Sequence, residues 1–320
     1  MTKINKQDLR IIYMATADFA LPSLQALVEG GYNVCAVVTM PDKAAGRGMK
    51  LRQSSIKTYA LEQGLEVLQP EKLRDEAFVA RLRELTPDLG IVVAFRMLPE
   101  VVWQLPRYGT INLHGSLLPR YRGAAPIHWA VIHGDEETGV STFRLKHELD
   151  TGDILLQARM PISPTDTVGS VHDRMMHLGA ETLLRTVDLF LEGEPQALPQ
   201  DDSPLTPSAA PKLTRENTEI NWARPASELY NFVRGLNPFP CAWASLSIAG
   251  GEALQYKILE TEARAYETAE EAKLPIGSIL LRGKKAIDVV TSEGVLRLIC
   301  LQPPGKRAMT AAALLNGLRS

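Results

Sequence analysis

The sequence predicts an α/β protein in two parts, a mostly parallel sheet covered by helices and then a small all-β domain. Three observations carry this. Short apolar runs alternate with amphipathic ones as far as residue 191, a stretch bearing Pro195, Pro199, Pro204, Pro207 and Pro211 then breaks the rhythm, and beyond it the apolar runs are short and punctuated by turn residues.

Residues 10–15 read as a strand, 21–29 as an amphipathic helix and 33–38 as a second strand behind Gly30-Gly31, which is a βαβ unit. A helix over 55–63, a short strand over 66–68, a helix over 77–85, a buried strand over 89–93 and a strand over 109–114 continue the alternation. Parallel strands need crossover connections that cover both sheet faces, so this half is Rossmann-like. A helix over 125–132, strands over 140–145 and 154–160 and a long helix over 168–191 complete it. The polar, proline-rich residues 192–212 read as a linker with a domain boundary near Thr206. Pro225 fits the first turn of a helix reaching 236. Strands over 242–248, 254–259, 277–281, 286–291 and 295–301 follow, with Gly250-Gly251 and Glu293-Gly294 as turns. Five short strands suggest an OB-like β-barrel. The expected domains are therefore 1–206 and 207–320.

A chain of 320 residues, 45% hydrophobic, has material for two cores. With 22% charged residues and a formal net charge of -2, an overall polycation is excluded and any polyanion must be met locally. Cys35, Cys241 and Cys300 are scattered and form no CxxC, so neither a disulfide framework nor a zinc knuckle is expected, and a reducing cytoplasm is the natural compartment. The first eight residues are polar and no run of about 20 apolar residues occurs, so neither a signal peptide nor a membrane span is expected. No GxGxxG follows the first strand and no Walker sequence exists, which argues against nicotinamide and nucleoside triphosphate chemistry. Six histidines fall between His114 and His177, but His147-Glu148-Leu149-Asp150 lacks the second histidine of HExxH and His172 and His177 are five apart, so no metal is expected.

The most informative segment is Ile111-Asn112-Leu113-His114-Gly115-Ser116-Leu117-Leu118-Pro119, with Leu149-Asp150-Thr151-Gly152-Asp153 downstream. Asn112 and His114 are two apart in a strand, so the pleat sends both to one face and Ile111 and Leu113 to the other. Their strand ends in a Pro- and Gly-punctuated loop, the usual place for an α/β active site. Acyl transfer to an amine needs a donor for the developing oxyanion and a proton acceptor. Asn112 can be the first, His114 the second or a further donor, and a carboxylate at Asp150 would aim the imidazole. On spacing alone, Asn112 and His114 also read as a polar pair capping a loop, and Asp150 as a turn aspartate. Separately, Lys43, Arg47, Lys50 and Arg52 stand among Ala44, Ala45, Gly46 and Gly48, a cationic loop that reads either as a phosphate-backbone contact or as a solvated surface loop.

Residues 112–119 and 149–153 resemble the signature of folate-dependent formyltransferases. Pro41-Asp42-Lys43-Ala44-Ala45-Gly46-Arg47-Gly48, Arg120-Tyr121-Arg122-Gly123-Ala124-Ala125-Pro126-Ile127, Asn237-Pro238-Phe239-Pro240 and residues 302–309 are similar to the methionyl-tRNA formyltransferase family. The resemblance spans nearly the whole chain. It implies formyl transfer from 10-formyltetrahydrofolate to the α-amine of initiator methionyl-tRNA by a monomer. Asn112, His114 and Asp150 would be catalytic, with Ser116, Leu117, Leu118 and Pro119 lining the folate site. Lys43, Arg47, Lys50 and Arg52 would lie against the tRNA, with the carboxyl-terminal barrel on its outer side. The nearest alternative, an amino-sugar-nucleotide formyltransferase, shares the trio but has no use for the cationic loop. Two departures stand out: Ala15-Thr16-Ala17 where the family has Gly-Thr-Pro, and Arg96 where the pattern is commonly Tyr-Gly.

Overall fold

The computed structural model describes residues 3–45, 50–200 and 209–317, without the side chains of 43–45 and 50–52. The chain divides into two compact units. The first comprises Met1–Gly123, Thr138–Met160 and His172–Ala209, and the second Ala124–Glu137, Pro161–Val171 and Ala210–Ser320. The expected boundary at Thr206 lies outside the described residues.

In the first unit a seven-stranded sheet runs, in spatial order, through Ile154–Pro161, Glu137–Arg144, Thr110–His114, Leu89–Val93, Arg10–Ala15, Asn33–Val38 and Val67–Leu68. The pairings from Thr110–His114 across to Val67–Leu68 are parallel. Glu137–Arg144 pairs antiparallel with Thr110–His114. The strand bearing Asn112 and His114 therefore sits where the sheet changes from parallel to antiparallel. Leu89–Val93 is buried throughout, as a strand covered on both faces must be. On one face, Phe78, Val79 and Leu82 of the helix Glu76–Glu84 pack on Ile12, Met14, Val38 and Val92. That helix starts at Asp75, whose Oδ1 accepts the Phe78 N–H at 2.9 Å. On the other, the helix Val168–Leu191 presses Gly179 so close to Leu113 that a Cβ at 179 would lie 2.9 Å from its Cδ2.

The predicted elements of this unit are present to within a few residues, and several short ones were missed, a helical turn and a hairpin among them. Glu100–Trp103 forms one helical turn. Lys43–Ala45 and Lys50–Arg52 pair antiparallel, so the base of the expected flexible loop is a hairpin whose backbone groups satisfy one another. Arg47 lies outside the described residues.

The second unit carries an antiparallel sheet in the order Ala242–Leu246, Leu254–Arg264, Val295–Gln302, Ala286–Val290, Ile279–Arg282, with Met309–Thr310 against Val295–Gln302. Among the described residues no pairing joins the first strand to the last, so the barrel expectation is met as an antiparallel sheet without closure. Helix Ala226–Leu236 covers it through Leu229, Phe232, Val233 and Leu236, and Pro225 precedes the first turn as its N-cap. A helix at Ala311–Gly317 was not expected. It follows Thr310, whose Oγ1 accepts the Ala313 N–H at 3.2 Å.

Candidate active site

Asn112 pairs laterally with Val92 on one side and Phe143 on the other, so it puts an amide into a row that continues through Met14 as apolar. Its side chain is half-buried and has no hydrogen-bond partner among the described residues. An amide set between apolar neighbours, without a partner of its own, is an unspent donor.

His114, two residues on, is 7% exposed. Its Nε2 lies 2.8 Å from the Tyr121 carbonyl. A carbonyl only accepts, so Nε2 carries the hydrogen and Nδ1 of the neutral ring carries the lone pair. Nδ1 faces Asp150 Oδ2 at 3.9 Å, too far for a hydrogen bond. The Phe143 ring meets the imidazole edge-on at 6.5 Å between centroids.

Asp150 reaches this place because the loop after Glu137–Arg144 folds back over its own strand. The Arg144 N–H donates to the Asp153 carbonyl at 3.0 Å, and Gly152 lies so close that a Cβ there would stand 1.6 Å from the Arg144 oxygen. Only glycine allows that approach. Asp150 itself is 7% exposed and held at φ +55°, a left-handed conformation costly for a residue with a side chain. Its Oδ2 accepts the Gly123 N–H at 2.9 Å. Gln200 Nε2 donates to the Asp150 and Gly152 carbonyls, each at 2.8 Å. Arg122 holds the other end of that amide, donating to Gln200 Oε1 from Nε at 3.0 Å and Nη2 at 2.6 Å.

Sequence reasoning missed Arg122 and Gln200. Gln200 sits in the proline-rich stretch read as a linker, and nothing in its spacing announces a partner 50 residues away.

The loop Ser116–Pro119 is anchored rather than open. Ser116 Oγ donates to the Arg120 carbonyl at 2.6 Å, and Ser141 Oγ donates to the Ser116 carbonyl at 2.7 Å while accepting the Leu118 N–H at 3.0 Å. Gln157 Nε2 reaches the Leu118 carbonyl at 2.9 Å. Ser116 and Leu118 are buried, while Leu117 and Pro119 are half-buried.

The two departures also have places. Ala17 caps a short turn, Asp18–Ala20, without a side-chain bond, and Thr16 Oγ1 beside it is buried without a hydrogen-bond partner among the described residues. Arg96 donates to the Glu71 carbonyl at 2.7 Å and to the Pro70 carbonyl, so it ties the loop after Leu89–Val93 to the loop after Val67–Leu68. Among the described residues no group of three His, Cys, Asp or Glu could hold a metal ion, and no helix is long and apolar enough to cross a membrane.

A formyl transferase family model matches residues 9–187, and a model of the formyl transferase C-terminal domain matches 212–319. The chain is 52% identical over 318 residues to a methionyl-tRNA formyltransferase of Bacteroides thetaiotaomicron, covering 99% of this chain and 98% of the relative. It is 53% identical over 316 residues to one of Porphyromonas gingivalis, covering 98% and 97%. Among solved structures, HypX of Aquifex aeolicus in complex with tetrahydrofolic acid aligns at TM-score 0.63 and 18% identity, covering 96% of this chain and 46% of that one. WlaRD, a sugar 3N-formyl transferase, aligns at 0.64 and 16%, covering 93% and 99%. At such identities the two structures speak for the fold alone.

Proposed function

Since the chain belongs to the methionyl-tRNA formyltransferase family, we propose that it moves the formyl group of 10-formyltetrahydrofolate to the α-amine of initiator methionyl-tRNA, with Asn112, His114 and Asp150 carrying the step. The observation that carries this reading is the imidazole pinned through Nε2 to the Tyr121 carbonyl, with its basic Nδ1 turned to a buried carboxylate beside an unspent amide.

The co-substrate supplies an activated formyl group. Ser116, Leu117, Leu118 and Pro119 are the residues that would line its site. As the amine nitrogen bonds to the formyl carbon, the formyl oxygen gains negative charge and the nitrogen gains positive charge. Asn112 donates to that oxygen, a contribution typically worth roughly 2.7–4 kcal/mol for a fixed donor. His114 Nδ1 takes the proton the nitrogen sheds, and Asp150 stabilises the imidazolium so formed. The carbon–nitrogen bond to the folate breaks, and its nitrogen receives one proton in return. No covalent bond to the protein is required.

Lys43, Arg47, Lys50 and Arg52 are proposed to lie along the tRNA phosphates, which gives a steep loss of affinity with salt. No specific observation favours the amino-sugar-nucleotide alternative. Incubation with 10-formyltetrahydrofolate and separately charged initiator and elongator methionyl-tRNA tests the proposal: formylation of the initiator species supports it, and turnover of an amino-sugar nucleotide with no turnover of either tRNA refutes it.

A further inference from the structure

One face of the second unit's sheet presents Trp243, Lys257 and Gln302 as lateral neighbours on three adjacent strands, with Gln255 two residues along from Lys257 on the same face. They line a cavity of about 420 Å³ whose walls include two cations, Arg215 and Lys257, and no carboxylate. The Arg215 guanidinium carbon lies over the Trp243 ring, 4.8 Å from its centroid. It is held there from two sides, because the indole Nε1–H donates to the Arg215 carbonyl at 2.8 Å and Arg215 Nη2 donates to Gln255 Oε1. Arg215, Gln255 and Lys257 are exposed, so these are ordered polar groups facing solvent. A regular sheet does not need them for its core.

We propose that this cavity is a subsite for one unpaired nucleotide of the RNA substrate, with the base against the Arg215–Trp243 stack and the phosphate on Lys257, a proposal that rests on the tRNA reading above. A stacked guanidinium and indole offer the planar, sequence-tolerant surface that bases prefer, and the side-chain amides of Gln255 and Gln302 can meet base edges. The volume suits one small ligand and is too narrow for a duplex. The lack of carboxylates in the lining removes the repulsion a phosphate would otherwise meet.

The test pairs activity with direct binding. Wild type, Trp243→Ala, Trp243→Phe, Arg215→Ala and Lys257→Ala are assayed for formylation, and their affinity for uncharged initiator tRNA is measured by filter binding over a range of salt. Trp243→Ala and Arg215→Ala should each raise KM for the tRNA and the tRNA Kd about tenfold, as loss of a base stack does, with kcat and the folate KM unchanged. Trp243→Phe should retain most of the affinity. Lys257→Ala should lower the slope of log affinity against log salt by about one. Unchanged tRNA affinity and salt slope in all four variants overturn the subsite, even where wild type formylates methionyl-tRNA normally. A wild type that binds tRNA through this face but does not formylate it would leave the subsite standing and refute the reading of the function.

Discussion

Asp150 in the first unit and Asp288 in the second are both buried aspartates, and they are used in opposite ways. Asp288 is wholly covered and fully spent. Its Oδ1 accepts from Arg297 Nε at 2.7 Å, and its Oδ2 accepts from Arg282 Nε and Arg297 Nη2, each at 2.8 Å. Arg282 also reaches Glu271 at 2.7 Å, so the carboxylates around it are paired, although its Nη2 is buried without a hydrogen-bond partner among the described residues. Asp150 accepts one backbone N–H at 2.9 Å and stands 3.9 Å from an imidazole it does not bond. Its Oδ1, like the Asn112 amide, has no hydrogen bond among the described residues. A structural cluster cancels its charges internally. A cluster that keeps donors and acceptors unspent, at the cost of a left-handed aspartate, is poised to complete its bonding on something that arrives.

The largest effects should separate these two uses. His114→Ala and Asp150→Asn are expected to lower kcat by about a hundred- to ten-thousandfold, the range of a lost general acid or base, with little change in the urea midpoint. Asn at 150 can still accept the Gly123 N–H, so the loop should survive. Asp288→Ala should do the reverse, costing about 3 kcal/mol of stability by removing the buried acceptor that Arg282 and Arg297 share, while the folded fraction keeps its kcat. Were Asp150→Asn to cost stability without slowing turnover, the contrast would fail. Next in size, Gln200→Ala should lower kcat roughly tenfold by loosening the Asp150 backbone and leave KM for both substrates unchanged. Thermal midpoints distinguish this from partial unfolding.

The same contrast explains what was legible beforehand. Asn112 and His114 follow from local rules, because a strand's period of two and a Gly-Pro loop need nothing from the remainder of the chain. That Asp150 turns back to His114 depends on Gly152 touching the Arg144 carbonyl and on Gln200 clamping the loop. Both are long-range contacts between segments whose spacing carries no pattern, which is why spacing left a turn aspartate equally open. The hairpin base at Lys43–Ala45 was hidden by small and charged residues that have no strand propensity. The helix Ala311–Gly317 was hidden by its two turns, too short for a periodic signal. The strand order of the second unit was not legible either, since short strands and turns fix how many strands there are but not which ones meet.

The smallest expected effect probes how completely the second cluster is closed. Arg282 and then the Glu267 N–H hold the Glu271 carboxyl below its ordinary range. An acid whose folded pKa is depressed binds its proton more readily in the unfolded chain. Its contribution is therefore complete above the ordinary carboxylate range and is lost as pH falls through the lower, folded value. Glu271→Gln removes the carboxylate and the Arg282 ion pair but keeps an oxygen for the Glu267 N–H. The variant should melt below wild type at pH 7, and the gap should narrow steadily on acidification past pH 4. A gap that stayed constant across that range would mean that Glu271 acts by packing alone. The ion pairing of Arg282 and Arg297 would then rest on Asp288 and on the longer contacts of Glu267, 3.6 Å to Arg282 and 3.8 Å to Arg297.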